Sequence, residues 1–340
     1  MKSELKTYVM AEIQERFINY VIWKREGKKA HIIDVRAQEK KLPEEFDELI
    51  VTFSPELLKA QIRTQMFQRS KPDYIISSTE EKTITEAMEK EAESLMKTSM
   101  IENSGILAED FQVIEMSLTS RKIDGYMVPQ LKGFHGKEIE GVLTGLFLLK
   151  SMYSMYIHKA KRVKVRHVSH GIESFAAKKN KPGMYVLMGN RVTQIIGVRE
   201  GKTLYFGEIR FGREDFVRII EHLLGMQETT AHELQEQYAK GEISSSLKQK
   251  LHTMLAVQTQ QCRSVFSKEL ENIEIMLPPD IFLLGEGSNL PEMKECLEGA
   301  TLLTPNDIDT FEAPRGLDDA RFTSLFLLMF SVLCQNEKKS

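Results

Sequence analysis

Residues 183–212 read GMYVLMGNRVTQIIGVREGKTLYFGEIRFG. Apolar and polar positions alternate on both sides of REGKT (199–203), the pattern of a strand hairpin closed by a glycine-containing turn. A helical stretch, REDFVRIIEHLLG (213–225), follows and stops at Gly225, a favoured helix-ending residue. The same order opens the chain. In TYVMAEIQERFINYVIWKREGKKAHIIDV (7–35), YVIWK and AHIIDV flank a second REG turn. Strand, turn, strand, REG turn, strand, helix thus occurs near residue 7 and again near residue 184. This weak repeat predicts two mixed α/β lobes, an arrangement that can enclose a ligand cleft.

Between the repeats, Ser54 is a good N-cap and Pro55 suits a first helical position. Leu57, Leu58, Ile62 and Met66 recur at helical spacing, so this segment reads as a helix ended by Lys71-Pro72, with DYIISS (73–78) as a strand. Thr83 and Glu86 stand at capping-box spacing and open a second helix over 83–105. Residues 111–148 alternate as strands, broken by Gly125, Gly133 and Gly136. KSMYSMYIHKAK (150–161) reads as a helix and RVKVRHVSH (162–170) as a strand. Residues 227–275 read as polar helix, and the chain then runs strand, glycine turn, helix, loop, helix. SLFLLMFSVLC (324–334) is short of the ~18 apolar residues of a membrane span and reads as a buried terminal helix.

Composition narrows the function. The 340 residues carry a net charge of −3 with 28% charged side chains, so there is no global basic field for nucleic acid. A hydrophobic share of 41% excludes wholesale disorder. The three cysteines, Cys262, Cys296 and Cys334, are far apart and odd in number, which gives no disulfide framework or zinc cluster and fits a reducing cytoplasm. The N-terminal stretch lacks the apolar core of a signal peptide.

Three stretches invite a site. LLGEGSNLPEM (283–293) places two glycines, a serine and a proline after an apolar strand; it could lie flat against adenine, or it could only join strand to helix. HKAKRVKVRH (158–167) holds five Lys/Arg, read either as a patch for anionic lipid or as a strand with one solvated face. His167 and His170 have a spacing used by some metal sites, but no third ligand is near in sequence, so no metal site is expected.

Taken together, these motifs resemble the actin/Hsp70/sugar-kinase superfold, and within it the bacterial FtsA family of cell-division proteins and the related PilM family of pilus assembly. Two motifs and the pair of phosphate-loop positions carry the resemblance, and a helical stretch adds a lesser likeness. IDGYMVPQLKGFHGKEIE (123–140) resembles the family's inserted subdomain, called 1C, through Asp124, Gly125, Tyr126, Gly133 and Gly136. GEGSNLPEMKECL (285–297) resembles the turn that contacts adenosine, through Gly285, Gly287, Ser288, Leu290 and Pro291, with Glu292 where a small residue is usual. ELQEQYAKGEIS (233–244) resembles a helix of subdomain 2B through Glu233, Leu234 and Tyr238, without the β-sheet insert that usually follows. The two phosphate loops depart from the family. Glu12-Ile13-Gln14-Glu15-Arg16-Phe17 stands for the first, and Leu187-Met188-Gly189-Asn190-Arg191-Val192-Thr193 for the second, with Leu187 at the family's aspartate. Phosphate loops need glycines that let backbone amides approach the oxygens, and carboxylates that organise hydrated magnesium.

The resemblance implies an actin-like (ribonuclease H-like) α/β fold with duplicated mixed sheets and an inserted 1C/SHS2-like α+β subdomain over about 80–147. Lobe 1 would take 1–79 and 148–183, and lobe 2 would take 184–226 and 276–340 with a reduced helical 2B-like region at 227–275. It implies a vestigial nucleotide pocket at Glu12, Gln14, Gly189, Asn190, Thr193, Gly285, Gly287 and Ser288, with no cofactor, no catalysis and no metal. Asp124, Gly125, Tyr126, Gly133 and Gly136 would form an interaction surface; bulky replacements at the two glycines are expected to disturb assembly and leave the melting temperature largely intact. The implied role is a cytoplasmic FtsA-like division scaffold, self-assembling or binding other division proteins and reaching the membrane only through them. A PilM-like pilus scaffold is the first alternative. An ATPase using ATP and magnesium, with Glu12 replacing the aspartate and Asn190 and Thr193 on the phosphates, is the second.

Overall fold

The two REG segments fold alike. β1 (Thr7–Ile13), β2 (Ile18–Glu26) and β3 (Lys29–Glu39) run antiparallel in sequence, and β4 (Glu48–Phe53) returns parallel to β1. In the second copy, β10 (Gly183–Met188), β11 (Thr193–Arg199) and β12 (Lys202–Ile209) do the same, and β13 (Ile281–Leu284) returns parallel to β10. A further parallel strand extends each sheet: β9 (Val163–Val165) beside β4, and β14 (Thr301–Leu302) beside β13. The orders are β3-β2-β1-β4-β9 and β12-β11-β10-β13-β14, with β15 (Phe311–Glu312) added outside β3. The strand order of the repeat, weak in sequence, is therefore reproduced in topology, but the helix expected in both copies follows only the second: none stands between β3 and β4. The structure, a computed structural model, describes residues 6–26, 29–104, 106–157, 163–273, 275–308, 311–312 and 317–335. The tip of the first REG turn, most of the basic stretch before Val163 and the last five residues lie outside these.

Alternation is nearly lost in β1 and β10 because both faces are covered, so each reads as a continuous apolar run. One core takes side chains from both sheets and from α3 (Val168–Lys179) and α8 (Thr323–Gln335). Phe175, Phe326 and Phe330 are fully buried there, each contributing about 1.5–3 kcal/mol through burial. The apolar sequence of α8 is thus a core helix, as its all-round hydrophobicity predicts. A second core lies on the other face of the second sheet, under α4 (Arg213–Leu224), α5 (Glu228–Lys240), α6 (Ser245–Glu271) and α7 (Pro291–Cys296). α4 ends on Gly225 in the left-handed conformation, as read from sequence.

Residues 58–160 form a separate compact unit. It contains β5 (Leu58–Gln68), α1 (Ser78–Ser104), β6 (Phe111–Ile123), β7 (Tyr126–Met127) and β8 (Glu138–Leu149). A single turn, α2 (Lys150–Met152), and a wider π turn (Tyr153–Ile157) close it. The sheet order is β5-β8-β6-β7, with α1 packed on one face.

Four sequence readings need correction. The helix expected over 54–71 is strand β5, paired with β8 in unbroken register from Leu58↔Leu148 to Gln68↔Glu138. Leu58, Ala60, Ile62, Thr64 and Met66 fit period two as well as period four, and eleven paired positions decide between them. DYIISS is a turn leading into α1, not a strand. That helix starts at Ser78, where the Ser77 hydroxyl accepts from the Glu80 amide; the Thr83 hydroxyl instead donates to the Thr79 carbonyl inside the helix. The strand read over 162–170 stops at Val165, because the His167 ring accepts from the Ser169 amide and caps α3.

Candidate functional site

The two hairpin turns between β1 and β2 and between β10 and β11 are built identically. The Gln14 amide donates to the Phe17 carbonyl at 2.9 Å, and the Gly189 amide to the Val192 carbonyl at 3.0 Å. Each turn is four residues long and pinched shut. Glu12 pairs across its hairpin with Asn19, and Leu187 with Gln194, so Glu12 and Leu187 hold equivalent positions in the two copies. Thr193 is fully buried and its hydroxyl donates to the Phe211 carbonyl at 2.7 Å, which commits it to the core. The Asn190 carbonyl accepts from the Glu214 amide at 2.7 Å and anchors the start of α4.

The second turn holds a carboxylate. The amides of Arg191 and Val192 both donate to Oε1 of Glu56, at 2.8 and 3.1 Å. Glu56 comes from the short turn after β4, closed by the Leu57 amide on the Ser54 carbonyl. A Cβ on Gly189 would stand 2.7 Å from the same oxygen and 2.8 Å from the Val192 carbonyl, and the rigid backbone contact is the one that favours glycine in this turn.

Ion pairs fill the space around the turns. Arg191 pairs with Glu15, which ties one turn to the other. Arg16 reaches Glu228 at 2.6 Å. Behind them, Arg213 pairs with Glu286 and donates to Nδ1 of His232 at 2.8 Å. Burial, and then Arg213, hold the His232 pKa below its ordinary value, consistent with a neutral ring accepting that bond. Arg321 joins Glu236 and Asp319, both at 2.7 Å, and approaches Glu286 at 3.9 Å. Burial raises the pKa of Glu236, but bonds from Arg321 and Lys240 outweigh it and hold it at about 2. Glu12 has the opposite fate. Burial, reinforced by Glu286 and Glu56 and only partly offset by the Asn19 side chain, pushes it up to about 8. It carries a proton at neutral pH.

Cavities lie beside these groups among the described residues. One of about 320 Å³ lies beside the turns, among Arg16, Lys40, Asn190, Arg191, Glu214 and His232. Another, about 540 Å³, lies beside the 285–290 turn, among Arg213, Glu236, Lys240, Glu286, Asp319 and Arg321.

The glycines of that turn answer to the protein's own backbone. Gly285 has φ +92°, and a Cβ there would meet the Met188 carbonyl at 2.7 Å. A Cβ on Gly287 would meet the Met188 side chain at 2.6 Å. The Ser288 hydroxyl donates to the Leu284 carbonyl at 2.7 Å. The turn thus packs on the end of β10. Glu292, unusual for its position in the resembled motif, is fully buried and accepts the Tyr238 hydroxyl, with His252 Nδ1 3.3 Å away.

The inserted unit brings its five expected residues to one end of its sheet. Asp124 and Gly125 both have positive φ and make the two-residue turn between β6 and β7. The Asp124 carboxylate accepts from the amides of Lys137 and Glu138. Gly133 bonds Ile76 through its amide, and Gly136 is buried, its carbonyl accepting from Arg69 at 2.8 Å. Tyr126 is 78% exposed, and Tyr74 and Met127 are also well exposed.

Among the described residues no group of three or more His, Cys, Asp or Glu could hold a metal. His167 is buried, with Nε2 3.0 Å from Gln194 Oε1. Cys262 and Cys296, distant in sequence, are both buried on facing helices, with their thiols in hydrogen-bonding reach. No described helix is long and apolar enough to cross a membrane. Sequence reasoning missed Glu56, Arg213, Glu286 and Arg321. Only Glu286, inside the glycine turn, lay in a stretch already singled out.

No family model matches the sequence, and no curated protein does either. Solved structures do match. The PilM-PilN type IV pilus biogenesis complex superposes with a TM-score of 0.63 at 12% identity, covering 96% of this chain and 98% of the other. A Bacteroides thetaiotaomicron protein of actin-like ATPase fold and unknown function gives 0.43 at 11% identity, over 94% and 95%. The ADPNP-bound activator of 2-hydroxyisocaproyl-CoA dehydratase from Clostridium difficile gives 0.43 at 8%, over 98% of each chain. The chain has the actin-like fold, with duplicated mixed sheets and an inserted α+β unit.

Proposed function

We propose that this protein is a non-catalytic actin-fold scaffold that works by binding other proteins of a pilus-assembly machinery. The observation that carries the reading is the content of the cleft. Where a nucleotide-binding member needs open glycine loops and two metal-organising carboxylates, this chain has two pinched turns, Leu187, and a Glu12 that holds its proton. The side chains there pair with one another. ATP and magnesium are therefore not cofactors in this reading. The pilus assignment draws support from end-to-end likeness to the chain of the PilM-PilN complex. It places the protein in the cytoplasm, reaching the membrane through partners.

A second reading, an FtsA-like division scaffold that assembles through its inserted unit, draws on the Asp124-Gly125 turn and the exposed Tyr126 beside it. Calorimetry with Mg·ATP on the full chain tests the shared premise: no heat of binding is expected up to millimolar nucleotide, and micromolar binding lost on Gly287→Trp would return the chain to the ATPases. Affinity purification from the native cell then separates the two scaffolds by whether pilus or division proteins come with it.

A further inference from the structure

We propose that the turn between β10 and β11 keeps a working two-amide anion site, and that the chain's own Glu56 is its resident ligand. Two consecutive backbone N–H groups, on Arg191 and Val192, converge on one oxygen of a buried carboxylate. Converging amides of this kind form a concavity that binds an oxyanion, whether the oxygen belongs to a carboxylate or a phosphate. At Gly189 a Cβ would crowd both that oxygen and the Val192 carbonyl, so glycine leaves the pocket open to it. The site is thus built for an anion, and the anion is covalently part of the protein.

The placement of Glu56 gives the contact a consequence. The residue sits in the turn that follows β4 of the first sheet, and its carboxylate is held by a turn of the second. It acts as an internal clasp between the two sheets and closes the cleft without any bound nucleotide. The ion pair of Glu15 with Arg191 adds to the same clasp from the other turn. A free anion can enter only when Glu56 leaves. The class of ligand that could replace it is a small oxyanion such as inorganic phosphate.

Hydrogen exchange on the full chain, with inorganic phosphate as the probe, tests this. In the wild type, the amides of Arg191 and Val192 are expected to be protected and indifferent to 10 mM phosphate. In Glu56→Ala they should exchange at least tenfold faster, and phosphate should restore most of the protection. Glu56→Gln keeps an acceptor oxygen and should stay close to wild type. If Glu56→Ala does not fold, Glu56→Asp, one methylene too short, is read in the same way. Unchanged protection on removal of Glu56, no response of the variant to phosphate, or equal protection of the wild type by phosphate would each overturn the assignment. The readout involves neither nucleotide nor partner, so it can fail while the scaffold reading stands, and the reverse.

Discussion

Replacing Glu12 by glutamine should make the protein more stable, and increasingly so as pH rises. Glu12 is buried at the end of β1, facing Asn19 and Gln14, with the carboxylates of Glu286 and Glu56 close enough to act on it and Arg213 and Arg321 engaged with Glu286. Its pKa is pushed from 4.5 to about 8. An acid whose pKa is raised by folding binds more protons in the native than in the unfolded state between those two values. Stability therefore falls as pH rises through that window and is flat above it. Each pKa unit corresponds to about 1.4 kcal/mol, so the effect approaches about 5 kcal/mol across the window. Glutamine keeps the shape and cannot ionise. The stability gap between Glu12→Gln and wild type should widen by about 1.4 kcal/mol per pH unit from pH 5 to 8, then level off. Urea unfolding followed by Trp23 reads this directly, since Trp23 is the single tryptophan and is wholly buried in the same sheet. All other titrations cancel in the difference. A gap that stays constant with pH, or that narrows, would refute the claim that Glu12 is protonated in the folded cleft.

Two further outcomes follow from buried contacts. Tyr238→Phe removes the hydroxyl that Glu292 accepts and leaves that buried carboxylate with His252 alone; a loss of about 1–3 kcal/mol is expected in the same unfolding assay. In the inserted unit, Gly136→Ala would put a Cβ 2.3 Å from Ile123 Cγ2 and should lower the unit's melting temperature, at a cost of about 1–3 kcal/mol. Gly133, with φ +88° and open space around it, should lose only about 1 kcal/mol on the same change. Calorimetry on the two variants should therefore show the larger drop at Gly136, where the sequence-based expectation of a largely intact melting temperature is at odds with the space around the residue.

The fold was legible because its signal is repeated and local. Two REG hairpins, each with a strand pair and tight turn, need only short-range pattern to be seen, and the topology then reproduces both. β5 was misread because Leu58, Ile62 and Met66 satisfy helical spacing as well as alternation, and the deciding fact, an eleven-residue register with β8, lies eighty residues away. The site was half legible. Which residues stand at the two phosphate-loop positions of the resembled family could be read from the sequence. What surrounds them could not, because Glu56, Arg213, Glu286 and Arg321 come from four separate elements and meet only in the folded chain. Glu292 shows the same limit at a single residue: it looks like a defect in the 285–297 motif until Tyr238, fifty-four residues earlier, is seen to hydrogen-bond to it.

The contacts around the turns act as a set, for a physical reason. A buried amide or carboxylate without a partner costs about 1–3 kcal/mol or more, so each of these groups gains from a partner within the chain. The amides of the second turn have Glu56. The carboxylate of Glu12, with no cation beside it to favour its charge, keeps its proton instead. Glu286 has Arg213 and Arg321. Undoing any one of these alone leaves a charge or an amide stranded, so the contacts can be exchanged only together. Glycines placed in the second turn while Glu56 stays would still leave its two amides occupied.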